Sequence, residues 1–169
     1  MDLLIKGMAP AHQHRGEQGQ MKTQLLNTTE NWGATAIRFA IGIVLFSHGA
    51  QSMLGWFGGY GLQTTIKFLT TNMGLPAFVG FIVISIQFFG SLMLLFGALT
   101  RVAALGVFGI FIGMATYHFD YGFHMNWSGT NAGEGFEYHI LVLAMCIMLF
   151  ISGGGALSVD RKLLKRYQP

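Results

Sequence analysis

The chain has 169 residues, of which 52% are hydrophobic and only 10% carry a charge, and its mean hydropathy is +0.50. An ordinary soluble domain carries about 25% charged residues, so this composition excludes that class and belongs in a bilayer. The net charge of +3 comes from ten Lys and Arg set against seven Asp and Glu; the basic residues gather near the two ends and line no helix face, which excludes a nucleic-acid partner and points to membrane orientation.

Residues 1–31 read as a polar cytoplasmic arm. The opening MDLLIKGMAPAHQHRGEQGQ lacks the continuous apolar core and small-residue cleavage site of a signal peptide. Met21, followed by Lys22, would also serve as a start. A spanning helix needs about 20 mostly apolar residues, and four stretches approach this: Trp32–Leu54, Pro76–Leu99, Val102–Phe119 and Phe136–Ile151. The expected fold is all-α, an integral membrane four-helix bundle over 32–156 with a basic cytoplasmic tail over 157–169.

Arg38 lies about six residues inside the first span, near enough to its end to snorkel to the headgroups. Pro76 suits the first turn of the second helix, where a missing N–H costs little. The link to the third span is then only Thr100 and Arg101, which forces an antiparallel hairpin. Gly109-Ile-Phe-Ile-Gly113 is a small-xxx-small face expected to let another helix approach closely. Cys146 is alone within an apolar run, so it forms no intrachain disulfide or thiolate metal site and reads as a small buried hydrophobe.

Nine of the ten basic residues, all but Lys67, fall on one side of this scheme. Both termini and the Thr100-Arg101 link are therefore expected to be cytoplasmic, with the Gly55–Leu75 and Asp120–Gly135 loops facing outward. His48, His118, His124, Glu137 and His139 then gather at the outer face, together with Asp120 and Glu134.

Polar groups in spans are expensive, so His48, Gln51, Gln87, His118, Glu137 and His139 are the functional candidates. Gln87 falls near the middle of its span and suits a hydrogen bond between helices. Glu137 and His139, two residues apart, point about 200° away from each other on an ideal helix. Taken as residues alone, the histidines leave three readings open: imidazoles capping the bundle in the headgroup region, a quinone or proton-handling site, and a metal or haem site. No HExxH or paired Cys-x-x-Cys supports the last, so no metal is expected. Trp56 belongs to the loop Gly55-Trp56-Phe57-Gly58-Gly59-Tyr60-Gly61, which reads as a re-entrant or tightly folded turn at the interface and not as a nucleotide fingerprint.

The order of these motifs resembles the DoxX family of small membrane proteins over about Ile37 to Leu163. The resemblance rests on Arg38, His48-Gly49-Ala50-Gln51, the Gly55–Gly61 loop, Gly90 with Leu94-Leu95-Phe96-Gly97-Ala98-Leu99-Thr100-Arg101-Val102-Ala103-Ala104, Gly135-Phe136-Glu137, and Gly153-Gly154-Gly155-Ala156-Leu157-Ser158-Val159-Asp160. It implies a four-helix bundle in the cytoplasmic membrane serving quinone-linked sulfur or thiol oxidoreduction. Two charges of the family pattern are lost: its Lys after the His-Gly pair is Gln51 here, and an acidic residue of the second helix is Gln87, so a neutral amide contact is expected in place of an ion pair. The glycine run after the fourth span is expected to end that helix, Ser158 and Asp160 to satisfy backbone groups at the turn, and the tail to lie on anionic headgroups.

The leading expectation is a membrane subunit that docks a redox partner and exchanges electrons or protons with membrane quinone. Glu137, His139 and His48 are its proton-handling groups, with His48, Gln51, Gln87, His118 and Trp56 about the ring. The alternative is a non-catalytic accessory subunit that stabilises a larger membrane complex. A small-solute transporter has less support, since the sequence shows no inverted repeat.

Overall fold

The computed structural model describes residues 26–167. The expectations that fall on residues 1–25, including the start at Met21, lie outside the described residues. The helices are α1 Trp32–Leu54, α2 Gly61–Asn72, α3 Ala77–Phe96, α4 Thr100–His118 with a 3-10 turn Phe119–Tyr121, α5 Glu137–Ser152 and α6 Val159–Tyr167. Among the described residues there is no strand. Three helices, α1, α3 and α4 with its 3-10 turn, are long and apolar enough to cross a membrane, and α5 is a shorter apolar helix of 16 residues.

Packing follows the apolar faces. α4 lies along α5, and α1 touches both α3 and α5. Their contact buries Ala34, Ile41 and Leu45 of α1, Leu94 of α3, Ala104, Val107 and Phe111 of α4, and Val142, Cys146 and Leu149 of α5. Large apolar side chains also cover the outside, among them Phe78, Phe81, Leu105, Leu141 and Ile151, as lipid-facing helices require. The helices thus run between two ends. One end, here the link end, carries the α3–α4 link, the turn after α5, and α6; the other, the loop end, carries the long loop between α4 and α5.

Several elements differ from the sequence reading. Where the Gly55–Leu75 segment reads as a loop, only Gly55–Tyr60 turns, and the chain then forms α2 against α1 and α3. Its threonines return their hydroxyls to the backbone of the preceding turn, as Thr65 does to Gly61 O at 2.8 Å, which keeps the helix compatible with polar residues. The α3–α4 link is Gly97-Ala98-Leu99, and Thr100 and Arg101 already belong to α4. Among the described residues no helix lies close to Gly109 or Gly113: a Cβ at either meets nothing within 4 Å.

The close approach lies instead at Gly49, where a Cβ would stand 2.7 Å from the Gln87–Phe88 backbone. There α3 passes through a π turn, Ile86–Gly90, which breaks its α register against α1. The sequence pattern missed this widening because the π turn has no propensity signature of its own.

Arg38 overturns the snorkelling expectation. It is fully buried and turned into the link end. Its Nε donates to Gly154 O at 3.0 Å, Nη1 to Leu95 O at 2.6 Å and to Leu94 O, and Nη2 to Leu157 O at 2.7 Å. Four of the five guanidinium N–H groups are thereby used. The physical reason is at the end of α3: its last carbonyls lack intrahelical partners, the helix dipole makes that terminus negative, and a cation there satisfies both.

The neighbouring turn is built to fit. Gly97 ends α3 at φ +65, and a Cβ on it would lie 2.6 Å from Ser158 Cβ and 3.0 Å from Arg38 Cζ, so only glycine closes the turn. Leu99 adopts φ 50 without being glycine; its N–H donates to Asp160 Oδ1 at 2.6 Å, and Thr100 N donates to Asp160 Oδ2 at 2.8 Å. Asp160, buried at the start of α6, therefore caps α4 from a distant part of the chain, and its own N–H returns a bond to Gly97 O at 2.9 Å. Ser158 accepts from Arg161 N at 3.2 Å and donates to Gly155 O at 2.9 Å, satisfying the turn as expected.

Candidate functional site

Where α4, the long loop and α5 meet at the loop end, the structure collects three of the six polar candidates, His118, Glu137 and His139. After α4 the chain makes its 3-10 turn at Phe119–Tyr121 and folds back, and Phe136 N and Glu137 N donate to Gly122 O and Phe123 O at 3.2 and 2.9 Å. That clasp sets Glu137 as the first residue of α5, facing the loop. Its Oε1 accepts from Met125 N at 2.9 Å and from the Trp127 indole at 3.2 Å, and its Oε2 lies 3.4 Å from His124 Nδ1. Glu134 shapes the same loop by accepting from Asn126 N at 2.8 Å.

Two residues on, His139 points the other way, as helical geometry demands. It is buried against α4, with its ring centroid 4.9 Å from that of His118 and 5.6 Å from that of Phe111. Its Nδ1 is buried without a hydrogen-bond partner. His118 Nδ1 is 2.9 Å from Glu134 O; a carbonyl only accepts, so the proton is on Nδ1 and Nε2 is left as the acceptor of the neutral ring. The two imidazoles form a pair in which one ring is oriented by backbone and the other has free capacity.

Between α5 and the loop lies a pocket of about 260 Å³ lined by Phe123, Met125, Trp127, Glu137, Tyr138, Ile140 and Leu141. Its walls are apolar and aromatic, and Glu137 is the one carboxylate among them. Tyr138 joins the two features, because it lines the pocket and packs its ring 6.1 Å from that of His139. Sequence reasoning did not find Met125, Trp127 or Tyr138 as parts of a site; only the folded loop brings them to Glu137.

The other candidates lie on the α1–α3 side. His48 is exposed and makes no hydrogen bond or ring contact among the described residues. Gln51 donates to Phe57 O at 3.2 Å, and Gln87 sits half-buried in the π turn. No hydrogen bond joins Gln51 to Gln87, and none bridges Gln87 to another helix among the described residues, so the amide hydrogen bond expected in place of an ion pair is not formed, although the Gln87 backbone lies against Gly49 of α1. Trp56 is exposed in the turn after α1, its ring set edge-on to Phe57. Among the described residues no group of three or more His, Cys, Asp and Glu is placed to hold a metal ion.

A comparison with known families decides the lineage: residues 33–120 match the DoxX family model. The chain belongs to the DoxX family. It is 30% identical over 138 residues to the inner membrane protein YqjF of Escherichia coli (strain K12), an alignment covering 82% of this chain and 97% of that one. It is 28% identical over 80 residues, 47% of this chain and 54% of the other, to the Bacillus subtilis (strain 168) protein named "Putative oxidoreductase CatD". No solved structure matches. With three apolar helices of spanning length and this kinship, the DoxX chain is a multi-pass inner-membrane protein. The family match takes in Arg38, Gly49, the π turn and His118, while Glu137 and His139 lie beyond it.

Proposed function

We propose that the chain is the membrane subunit of a quinone-linked oxidoreductase, docking a redox partner and helping electrons or protons pass between it and membrane quinone. The observation that carries the reading is the apolar, aromatic pocket at the loop end with Glu137 in its wall. A planar apolar ring suits the faces of Phe123 and Tyr138. Quinone chemistry moves protons with electrons, and Glu137 and the His139–His118 pair are groups able to take them up at the bilayer edge. His48, Gln51, Trp56 and Gln87 do not line this pocket and are set aside in this reading.

The proposed arrangement is a four-span bundle with both termini and the link end in the cytoplasm. It is supported by the basic residues: among the described residues Arg38, Arg101 and those of α6 share the link end, while the loop end has none beyond Lys67 of α2. Single cysteines at Tyr60 and Asn131 are expected to react with an impermeant thiol reagent from outside; reaction only after the membrane is opened inverts the topology.

The chemistry is tested in the intact complex by quinone reduction. Glu137→Gln and His139→Ala are expected to lower the rate about a hundredfold or more, the scale of a lost acid–base group. Unchanged rates in both remove these residues from the mechanism. A second reading, a non-catalytic accessory subunit, draws on the two N–H bonds that Glu137 already accepts from the loop. It predicts a stable assembly in which this chain holds no quinone.

A further inference from the structure

The link end has a feature that the redox reading does not use. α6 is two-faced. Asp160 and Leu164 are buried against the bundle, whereas Lys162, Lys165 and Arg166 are exposed at spacing i, i+3, i+4, within an arc of about 100° on an ideal helix. Arg161, at the edge of that arc, is engaged by Glu30 and by Ala156 O at 3.3 Å. The helix is also fixed in place, because Asp160 bonds to Leu99 and Thr100 and the Leu157 carbonyl is held by Arg38.

The cationic face has apolar neighbours at the same end of the molecule. Leu157 and Val159, which lead into α6, are exposed, and so are Trp32 at the start of α1 and Phe96 and Leu99 at the α3–α4 link. A belt of exposed apolar side chains, one of them indole, beside three cations on one helix face matches the boundary where acyl chains meet headgroups. A soluble acidic partner would leave that apolar belt uncovered. An anionic phospholipid satisfies both parts, its phosphate meeting the cations and its acyl chains covering the apolar belt.

We propose that α6 is a rigidly docked interfacial helix whose Lys162, Lys165 and Arg166 bind the headgroups of anionic phospholipid, giving this chain a lipid-selective annulus at the link end. The helix acts as a preformed grip, since its orientation is set by buried bonds and not by the bilayer.

The test uses the full chain in nanodiscs of phosphatidylcholine mixed with phosphatidylglycerol. Spin-labelled phosphatidylglycerol and spin-labelled phosphatidylcholine are compared for the fraction immobilised on the protein. The expected preference for the anionic lipid is about fivefold, the attraction of roughly one well-placed surface cation, and it falls to about onefold in K162Q/K165Q/R166Q and in high salt. Lys67→Gln, at the opposite end, retains the preference, and so does the charge-conserving K162R/K165R/R166K. Equal immobilisation of the two lipids overturns the proposal, as does a preference that survives the triple neutral variant. Loss of the preference in low inorganic phosphate at constant ionic strength also overturns it, because the site then binds free phosphate. Unfolding temperatures in pure phosphatidylcholine discs report whether each variant folds, and neither readout depends on quinone activity.

Discussion

The two ends of this bundle use polar groups in opposite ways. At the link end, Arg38 is buried with four N–H groups engaged and Asp160 is buried with both oxygens occupied by backbone. At the loop end, Glu137 keeps an oxygen beside a pocket and His139 keeps an unpartnered Nδ1. Where polar capacity is saturated by backbone carbonyls and N–H groups, it locks helices together. Where some capacity remains, as at His139 Nδ1, it is open to a further partner. The contrast predicts that link-end substitutions chiefly change stability and loop-end substitutions chiefly change activity.

The largest effect is expected at Arg38. Arg38→Met keeps the stem and removes the guanidinium, taking a donor from four carbonyls, of which Leu94 O retains the Gly97 N–H. Each buried unpaired group costs about 1–3 kcal/mol, so the loss is about 3 kcal/mol or more. Arg38→Lys keeps the charge, reaches fewer carbonyls, and falls in between. Unfolding in detergent followed by tryptophan fluorescence ranks the three proteins; an Arg38→Met variant as stable as the parent would show that the knot does not hold the bundle.

Asp160→Ala comes next. It uncaps α4 and leaves Leu99 in its left-handed conformation without its hydrogen bond, a loss of about 1–2 kcal/mol. Asp160→Asn keeps an acceptor and is expected to lose about half as much. The same unfolding measurement applies, and the quinone reduction proposed for the complex is expected to be unchanged per folded molecule in both.

Gly49→Ala and Gly109→Ala sharpen the contrast within the spans. The first drives a Cβ into the Gln87–Phe88 backbone and costs about 1–3 kcal/mol. The second fills open space and gains helix propensity, so it is neutral or stabilising by up to about 1 kcal/mol. Equal effects of the two would mean that the π turn yields to the new methyl.

Much of the helical layout was legible because apolar run length and proline placement report it directly: α1 has the bounds read from the sequence, and α3, α4 and α5 differ at their ends by a few residues. The opposed directions of Glu137 and His139 were also legible, since helical spacing alone dictates them. Long-range satisfaction was not. Nothing local in the sequence says that Arg38 meets carbonyls more than 50 positions away, and a lone arginine near a span end has the same pattern whether it snorkels or turns inward. The pocket was hidden for the same reason. Met125 and Trp127 look like ordinary loop residues until the Gly122–Glu137 clasp folds them onto α5.

The smallest effect concerns Glu30, where the link end reaches solvent. Arg161 donates to its carboxylate, and that hydrogen bond, then the guanidinium charge, hold the Glu30 carboxyl below the usual glutamate value, with Lys165 adding a weaker pull in the same direction. Because the folded form is the more acidic, the pair stabilises the fold above the ordinary glutamate pKa, and that contribution disappears as the pH falls through the lowered value. Glu30→Gln should therefore leave a small deficit at neutral pH that closes in acid, and added salt should shrink the neutral-pH deficit because the carboxylate is exposed. Unfolding temperatures of the parent and Glu30→Gln across the acid range, at low and high salt, measure this. A deficit that persists unchanged into strong acid would assign the effect to side-chain packing, and the charged rim of the link end would then add nothing to the stability of the knot behind it.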